Sequence, residues 1–237
     1  MIHKEFREDR SRGEQGKELD LMKRTGKLMY LKTRPDIAFA SGFVARFNKS
    51  AGDEELKMAN DVIRYLKQYP SSGILLTADK EAEMHWYCDA DLAGDPATSK
   101  STGGIIGKDG KGNTIYFRSW LQKKVSDSTG MAETYAAHEA CRLIKLYSDM
   151  WAEVGLCVKL PIKLYVDSAN VYKLNKEVTS HHTSRHYRIA QAFIHEKVKE
   201  GLVELVYVPS EKNQADLLTK PLCKEVHHRH AEAIMKM

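Results

Sequence analysis

The sequence predicts an α/β fold in which helices flank a mixed five-stranded β-sheet, preceded by a helical hairpin. Apolar residues recur at spacings of three and four up to about residue 70, as in helices, and alternate with a period of two afterwards, as in strands. A Gly-rich turn over residues 108–112 separates two strand candidates and predicts a β-hairpin. With 237 residues, 42% of them hydrophobic, the chain is long enough to bury one substantial core.

The composition indicates a soluble globular protein. No apolar run approaches the roughly 18 residues that a membrane-spanning helix needs, so no membrane partner is expected. The N-terminus lacks the apolar core of a secretory signal, and we therefore expect an intracellular protein. The formal net charge of +5 is compatible with a polyanionic partner, and the four scattered cysteines indicate neither a disulfide framework nor a zinc ribbon.

The first part of the chain is expected to be helical after a short leader. Residues 1–18 are dense in charge and predict a disordered leader. Pro35 suits the first turn of an amphipathic helix. A second helix is predicted to begin at Asp53, a residue type that favours the N-cap, and to stop at Pro70. Residues 19–79 are therefore predicted to form a helical segment built around this hairpin.

The remainder of the chain predicts one α/β domain over residues 80–222. A short strand is predicted at 73–77, before this domain. Within the domain, strands are predicted at 84–89, 100–108, 113–120, 162–166 and 202–208, and helices at 131–154, 168–175 and 187–200, with a short final helix opened by Asp216. The last residues, 223–237, are predicted to be a flexible tail.

Four acidic residues occupy positions at which predicted strands end and helices begin. Asp89 and Asp167 lie at the ends of two strands, so their carboxylates are expected at one edge of the sheet. Glu133 lies in the first turns of the long helix, and Asp216 opens the last short one. Four carboxylates suit two Mg²⁺ ions roughly 3.5 to 4 Å apart, one activating water and the other stabilising the leaving oxygen of a phosphodiester. Mn²⁺ is expected to substitute for Mg²⁺ at such oxygen ligands.

The residues around these acids form an ordered series of motifs. The series is CDADLAGD (88–95), KSTGG (100–104), SWLQKK (119–124), MAETY (131–135), VDS (166–168) and ADLLTKPL (215–222). It resembles the ribonuclease H domain of Ty1/copia-type retrotransposon Pol polyproteins. Residues 30–38 and 63–67 are similar to the segment that joins the reverse transcriptase to that domain. Each motif alone is weak, whereas the ordered series is specific.

The resemblance implies an RNase H-like fold and a Mg²⁺-dependent hybrid ribonuclease that cleaves the RNA strand of RNA/DNA hybrids during retrotransposon reverse transcription. It implies Asp89, Glu133, Asp167 and Asp216 as the catalytic, metal-binding carboxylates. The expected partners are the hybrid and the reverse transcriptase portion of the same polyprotein. The expected location is the cytoplasm, in a virus-like particle, or the nucleus.

Substrate contacts are expected from small or polar residues that approach the hybrid closely and from cations that neutralise its phosphates. The candidates are Ala90, Lys100, Ser101, Thr102, Ser128, Thr129, Lys123, Lys124 and Arg185, with Arg118 and Arg188 as further cations. Asp91 and Asp95 are expected to be solvated loop acids.

Departures from the family pattern keep alternatives open. Residues 209–215 contain no histidine, which cellular and retroviral RNases H often carry there, and Gly130-Met131 replaces the acidic pattern usual before Glu133. No Asp-Asp dipeptide of the polymerase type occurs, so no polymerase centre is present. One alternative is a catalytically inactive nucleic-acid-binding remnant of the same fold. A strand-transfer enzyme of the integrase class is another, disfavoured because Glu133 is the second acid and not the last.

Two further interpretations concern other parts of the chain. The helical hairpin could expose an apolar face and act as an interaction surface. His181, His182 and His186, and separately Cys223, His227, His228 and His230, could be imagined as metal ligands, but neither spacing fits a zinc site.

Overall fold

The N-terminal helical segment contains three α-helices, one more than the predicted hairpin. The structure is a computed structural model that describes residues 15–77, 83–177 and 184–237. The helices are α1 (Gln15–Tyr30), α2 (Ala38–Ala45) and α3 (Asp53–Gln68), and a 3-10 turn at Pro35–Ile37 leads into α2. Residues 15–18 of the predicted leader belong to α1, and residues 1–14 lie outside the described residues.

Helix α1 was not predicted as a separate helix, because polar and charged residues make up most of it. Leu21 and Leu28, seven residues apart, nevertheless lie on one face and are at most 4% exposed. Leu21 packs in a cluster with Val44 and Phe47, and Leu28 packs with Ile37 and neighbouring residues of α3. Two well-placed leucines therefore anchor a helix that also exposes apolar side chains, among them Leu19 and Met22.

The start of α3 differs by one residue from the prediction. Gly52, not Asp53, is the N-cap, and its backbone N–H donates to a carboxylate oxygen of Glu55 at 2.8 Å. This hydrogen bond satisfies one of the free donors at the helix N-terminus. Helix α3 ends at Gln68, two residues before Pro70, which cannot continue the helical hydrogen bonding.

The structure confirms the predicted mixed five-stranded sheet flanked by helices. The strands are β1 (Met84–Asp91), β2 (Thr102–Asp109), β3 (Thr114–Leu121), β4 (Ile162–Val166) and β5 (Val203–Tyr207). Their spatial order is β3-β2-β1-β4-β5, in which β1, β2 and β3 pair antiparallel while β4 is parallel to both β1 and β5. The parallel pairing brings the C-terminal ends of β1 and β4 to the same edge.

The predicted strand at residues 73–77 does not form. Only Gly73 makes a bridge, an isolated antiparallel pair with Lys236. Exposed Leu75 and Leu76 follow it without a partner strand among the described residues. An alternating apolar run is a weak indicator because strand formation depends on a neighbouring strand to pair with.

Helices cover both faces of the sheet. On one face lie α4 (Thr129–Glu153), α5 (Ala169–Tyr172) with a 3-10 turn at Lys173–Asn175, and α6 (Arg185–Lys199). They bury Trp86 and Leu164, and Gly107 makes room for the Trp86 ring, because a Cβ there would lie 2.8 Å from a ring atom. Apart from the N-terminal segment, residues 73–77 and the C-terminal tail, the observed elements begin and end close to the predicted bounds.

The predicted flexible tail is a packed helix, α7 (Lys224–Ile234). Ala231 and Ile234 are at most 2% exposed and pack on the second face of the sheet against Ile106 and Leu218. A carbonyl group at the C-terminal end of α7 also has a partner, because Nζ of Lys108 donates to the carbonyl oxygen of Ala233 at 2.7 Å. Charge and histidine content suggested a frayed end, whereas apolar residues at helical spacing fix the helix to the sheet.

Helix α7 also contacts the N-terminal segment. Nε2 of His228 lies 2.8 Å from the hydroxyl of Tyr69, and Nε2 of His227 lies 3.1 Å from the carbonyl oxygen of Asp36. The C-terminal helix is therefore joined by polar contacts to the N-terminal helical segment. Within the described ranges, no helix is both long enough and apolar enough to cross a bilayer.

Candidate functional site

Three of the four predicted acids converge at the edge where β1 and β4 end. Asp89 lies near the end of β1, Asp167 directly follows β4, and Glu133 lies in the second turn of α4. One carboxylate oxygen from each lies within 4.8 Å of the others. Asp89 and Glu133 are buried and Asp167 is half-buried. We call Asp89, Glu133 and Asp167 the carboxylate triad.

Asp216 lies beside the carboxylate triad, inside a 3-10 turn at Gln214–Leu218 whose N-cap is Asn213, so the prediction that Asp216 opens this short helix was wrong by two residues. Its Oδ1 is 3.0 Å from Nζ of Lys220, and the same ammonium is 4.0 Å from Oδ2 of Asp89. Repulsion from Asp216 also contributes to the raised pKa of Asp89. The fourth acid is therefore electrostatically coupled to the carboxylate triad.

A glycine permits the 3-10 turn to approach the sheet closely. A Cβ on Gly104 in β2 would lie 2.8 Å from the carbonyl oxygen of Ala215 and 2.8 Å from the methyl group of Thr219. A larger residue would push the turn away from β2. Thr219 is fully buried, and its hydroxyl donates a short hydrogen bond to Oδ2 of Asp89.

The buried side-chain amide of Asn213 connects the 3-10 turn at Gln214–Leu218 to the ends of β1 and β4. Nδ2 of Asn213 lies 2.9 Å from the carbonyl oxygen of Cys88 and 3.2 Å from Oδ1 of Asp167. Its Oδ1 accepts from the backbone N–H of Ala215 at 3.2 Å. Asn213 is fully buried, so these partners account for its polar atoms.

The N-terminus of α4 is fixed by two polar contacts. The Ser128 side chain caps the helix by accepting from the Met131 N–H. Nε2 of buried Gln122 donates to the carbonyl oxygen of Ala132 at 2.9 Å, and its backbone N–H donates to the carbonyl oxygen of Ser101 at 2.8 Å. These bonds connect the residue before β2 and the residue after β3 to the residue before Glu133.

Burial and mutual repulsion raise the pKa values of all four acids. Burial, with repulsion from Asp89 and Asp167, raises the pKa of Glu133 to about 9. Burial and Asp216 raise the pKa of Asp89 to about 6, while Lys220 and Thr219 oppose the change. The pKa values of Asp167 and Asp216 are also raised, mainly by burial.

This electrostatic state fits a bound divalent cation. Oxygen ligands converge from three chain segments, and their negative charges repel one another in a partly buried site. A cation would relieve that repulsion and favour the ionised carboxylates. Carboxylate oxygens are the ligands that hard divalent cations prefer. The carboxylate triad is therefore chemically suited to hold a metal ion.

The predicted substrate residues divide into buried and accessible groups. Ala90, Ser101 and Thr102 are at most 5% exposed. Oγ of Ser101 accepts from the Ala93 N–H at 3.3 Å, and Oγ1 of Thr102 accepts from Arg46 at 3.0 Å. The side chains at the surface are those of Ser128, Thr129, Lys123, Lys124, Arg185 and Arg188, while Lys100 is half-buried. Their roles toward a substrate stay predictions.

Arg46 of the helical segment reaches the loop after β1. Besides Thr102, its guanidinium contacts Asp95, with Nη1 3.5 Å from Oδ1. Asp95 is 3% exposed, so the expectation of a solvated loop acid was wrong for this residue. Arg118, expected to be a phosphate-binding cation, forms an ion pair with Glu139 at 2.9 Å.

Sequence reasoning missed several residues that shape the site. They are Asn213, Thr219, Lys220, Gln122 and Arg46. Three of them, Gln122, Thr219 and Lys220, stand inside the motifs SWLQKK and ADLLTKPL, so the signal was present without an assigned role.

The histidine-based metal sites receive no support from the described residues. Within 15–77, 83–177 and 184–237, the carboxylate triad is the only group of three or more His, Cys, Asp or Glu side chains with ligand atoms close enough to hold a metal. Cys223, His227, His228 and His230 therefore form no such group. His181 and His182 lie outside the described residues.

The sequence comparisons agree with the motif series. No family model matches the chain. The Retrovirus-related Pol polyprotein from transposon TNT 1-94 of Nicotiana tabacum is 33% identical over 215 residues, 87% of this chain and 16% of that protein. The corresponding polyprotein from transposon RE1 of Arabidopsis thaliana is 31% identical over 210 residues, 88% of this chain and 14% of that protein.

Most of the chain is therefore homologous to a part of the retrovirus-related Pol polyproteins of plant transposons. It spans only about a seventh of the length of these curated relatives. Among solved structures, the crystal structure of LC11-RNase H1 in complex with RNA/DNA hybrid matches with a TM-score of 0.44 and 23% identity. That match covers 57% of this chain and 93% of the other.

Proposed function

We propose that this protein is a hybrid ribonuclease that hydrolyses the RNA strand of RNA/DNA hybrids endonucleolytically during retrotransposon reverse transcription. The observation that carries the proposal is the convergence of Asp89, Glu133 and Asp167, with oxygen atoms within 4.8 Å of one another, beside Asp216. Kinship with Pol polyproteins and the ordered RNase H motifs support the choice of substrate.

The four acids would hold two divalent cations, Mg²⁺ or, in its place, Mn²⁺. When bound, such ions supply Lewis-acid activation of a water and stabilisation of the leaving oxygen. The residues that keep the carboxylates in place are Thr219, which donates to Asp89, and Asn213, which donates to Asp167. Exposed Lys123 and Lys124 are available to neutralise phosphates of the hybrid.

We further propose that the protein works with the reverse transcriptase portion of the same polyprotein. The relatives are polyproteins, and this chain matches 14% to 16% of their length. A reverse transcriptase makes the hybrid that an RNase H consumes, so the two activities are needed together. The proposed location is a cytoplasmic virus-like particle or the nucleus.

The test is cleavage of a labelled RNA/DNA hybrid in Mg²⁺, beside single-stranded RNA and duplex DNA. The wild-type protein is expected to cut the hybrid alone. Asp89→Asn removes a ligand charge and is expected to lower the rate by at least about 10²-fold while hybrid binding persists. Asp149→Asn is the matched control, because Asp149 lies on the α4 surface in an ion pair with Lys145.

Two results would contradict the proposal. Cleavage by Asp89→Asn at the wild-type rate would mean that the site is elsewhere. Binding of the hybrid without cleavage by a folded wild-type protein would identify an inactive binding remnant instead.

A further inference from the structure

Lys220 is placed between two of the four clustered acids. Its Nζ is 3.0 Å from Oδ1 of Asp216 and 4.0 Å from Oδ2 of Asp89. The two carboxylate side chains are at most 8% exposed, while that of Lys220 is 35% exposed. Among the described residues, Lys220 is the one Lys or Arg with its charged nitrogen within 4.0 Å of these acids.

Acidic side chains outnumber basic ones in this region. Four carboxyl groups face a single ammonium group among the described residues. A lysine side chain is ordinarily a cation at neutral pH, and carboxylates at 3.0 Å and 4.0 Å favour that charged form. The ammonium therefore stays charged and offsets part of the carboxylate repulsion.

The fold holds Lys220 in this place. The 3-10 turn that ends at Leu218 lies against β2 because Gly104 lacks a side chain. The hydroxyl of Thr219, the preceding residue, is bonded to Asp89 and lies 3.2 Å from the carbonyl oxygen of Asp216. The backbone next to Lys220 is thus fixed to the acids that its side chain contacts.

We propose that Lys220 is the built-in counter-charge of the carboxylate cluster and competes electrostatically with a divalent cation for Asp89 and Asp216. The inference rests on the proposed function only in taking the cluster as a metal site. Two consequences follow from Coulomb repulsion between like charges. Lys220 stabilises the metal-free fold, and the same charge weakens the binding of the metal.

The experiment measures metal binding and thermal stability, not turnover. Mn²⁺ is titrated by calorimetry into the wild-type chain and the neutral variants Lys220→Met and Lys220→Gln, and unfolding is followed in EDTA. Both neutral variants are expected to bind Mn²⁺ about tenfold more tightly. Both are expected to unfold at a lower temperature in EDTA and to gain more from added Mn²⁺.

Two controls separate charge from side-chain loss. Lys220→Arg keeps the positive charge and is expected to bind Mn²⁺ like the wild type. Lys145→Met removes a lysine from an exposed ion pair with Asp149 and is expected to leave Mn²⁺ affinity unchanged. If Lys220→Met does not fold in EDTA, Lys220→Gln and refolding on Mn²⁺ addition provide the same comparison.

Equal or weaker Mn²⁺ binding by the neutral variants would overturn the inference, because Lys220 would then not compete with the metal. Absence of Mn²⁺ binding in every variant would overturn both the inference and the metal requirement of the proposed function. Tighter Mn²⁺ binding by the neutral variants, in a protein that cleaves no hybrid, would support the inference while contradicting the proposed activity.

Discussion

The side-chain amide of Asn213 lies 3.2 Å from Oδ1 of Asp167. The same Nδ2 also donates to the carbonyl oxygen of Cys88, the residue before Asp89. One buried amide thus connects the ends of β1 and β4, which carry two of the acids, to the turn that carries Asp216. The relative positions of these acids depend on a residue that is not itself an acid.

Replacing Asn213 with alanine is expected to reduce hybrid cleavage more than its cost in stability explains. The carbonyl of Cys88 and the carboxylate of Asp167 would lose a buried donor, at about 1 to 3 kcal/mol of unfolding free energy. Loss of a group that orients ligands is expected to lower cleavage or metal affinity by about 10- to 100-fold.

The matched control for Asn213 is Asn175→Ala. The side-chain amide of Asn175 also donates a hydrogen bond to the backbone, to the carbonyl oxygen of Leu205 at 2.8 Å, and among the described residues it makes no hydrogen bond to any of the four acids. The Asn175→Ala variant is expected to lose a similar amount of stability. Its folded form is expected to cleave the hybrid at the wild-type rate. Equal activities of the two variants would show that Asn213 is only structural.

In a chelator, stability is expected to fall as the pH rises from about 5 to about 9. The pKa of Glu133 is raised to about 9 from 4.5, so between these values the folded state binds more protons than the unfolded chain. The free energy of unfolding then decreases with pH. Glu133→Gln replaces the titrating carboxyl group with an amide that does not titrate. The curve of melting temperature against pH should therefore be flatter for this variant. Exposed Glu153→Gln, on the same helix, should keep the wild-type slope.

Truncating Ile234 to alanine is expected to destabilise the protein by about 2 to 4 kcal/mol. Ile234 is 2% exposed and packs with Ile106 and Leu218, so its removal leaves a cavity under α7. Denaturant unfolding would measure the loss, and exposed Glu232→Ala on the same helix should change little. An Ile234→Ala protein as stable as the wild type would mean that α7 is loosely attached.

Lys123 and Lys124 are expected to bind phosphates of the hybrid. Replacing both with glutamine should weaken hybrid binding and make its salt dependence less steep, by about 0.8 in the slope of log K against log salt for each phosphate that is no longer neutralised. Binding would be followed by fluorescence anisotropy at several salt concentrations. Lys145→Gln with Lys199→Gln removes the same charge elsewhere and should leave the slope unchanged.

The strands and the long helix could be predicted because their signals are local. Alternation in β1, the Gly-rich turn between β2 and β3 and the apolar face of α4 each depend on residues a few positions apart. Three of the acids, Asp89, Glu133 and Asp167, could be singled out for the same reason, since they lie near element ends that the sequence marks, and Asp216 was marked by its motif.

Helices α1 and α7 could not be predicted in the same way, because their stability comes from distant partners. Leu21 is buried by Val44 and Phe47, and Ile234 is buried by Ile106. The C-terminal carbonyls of α7 are satisfied by Lys108 and Thr114, more than a hundred residues away in sequence. No local pattern reports such interactions.

The sequence by itself determined the order of the five sheet strands and of the helices between them, and the identity of the acids, since these follow from local spacing and motif. Only the tertiary structure decided which groups control those acids. Gly104 admits the turn that brings Asn213, Thr219 and Lys220 to the strand ends. The charge of Lys220 acts on Asp89 through space, and such through-space interactions depend on distance and burial, which a linear pattern does not contain.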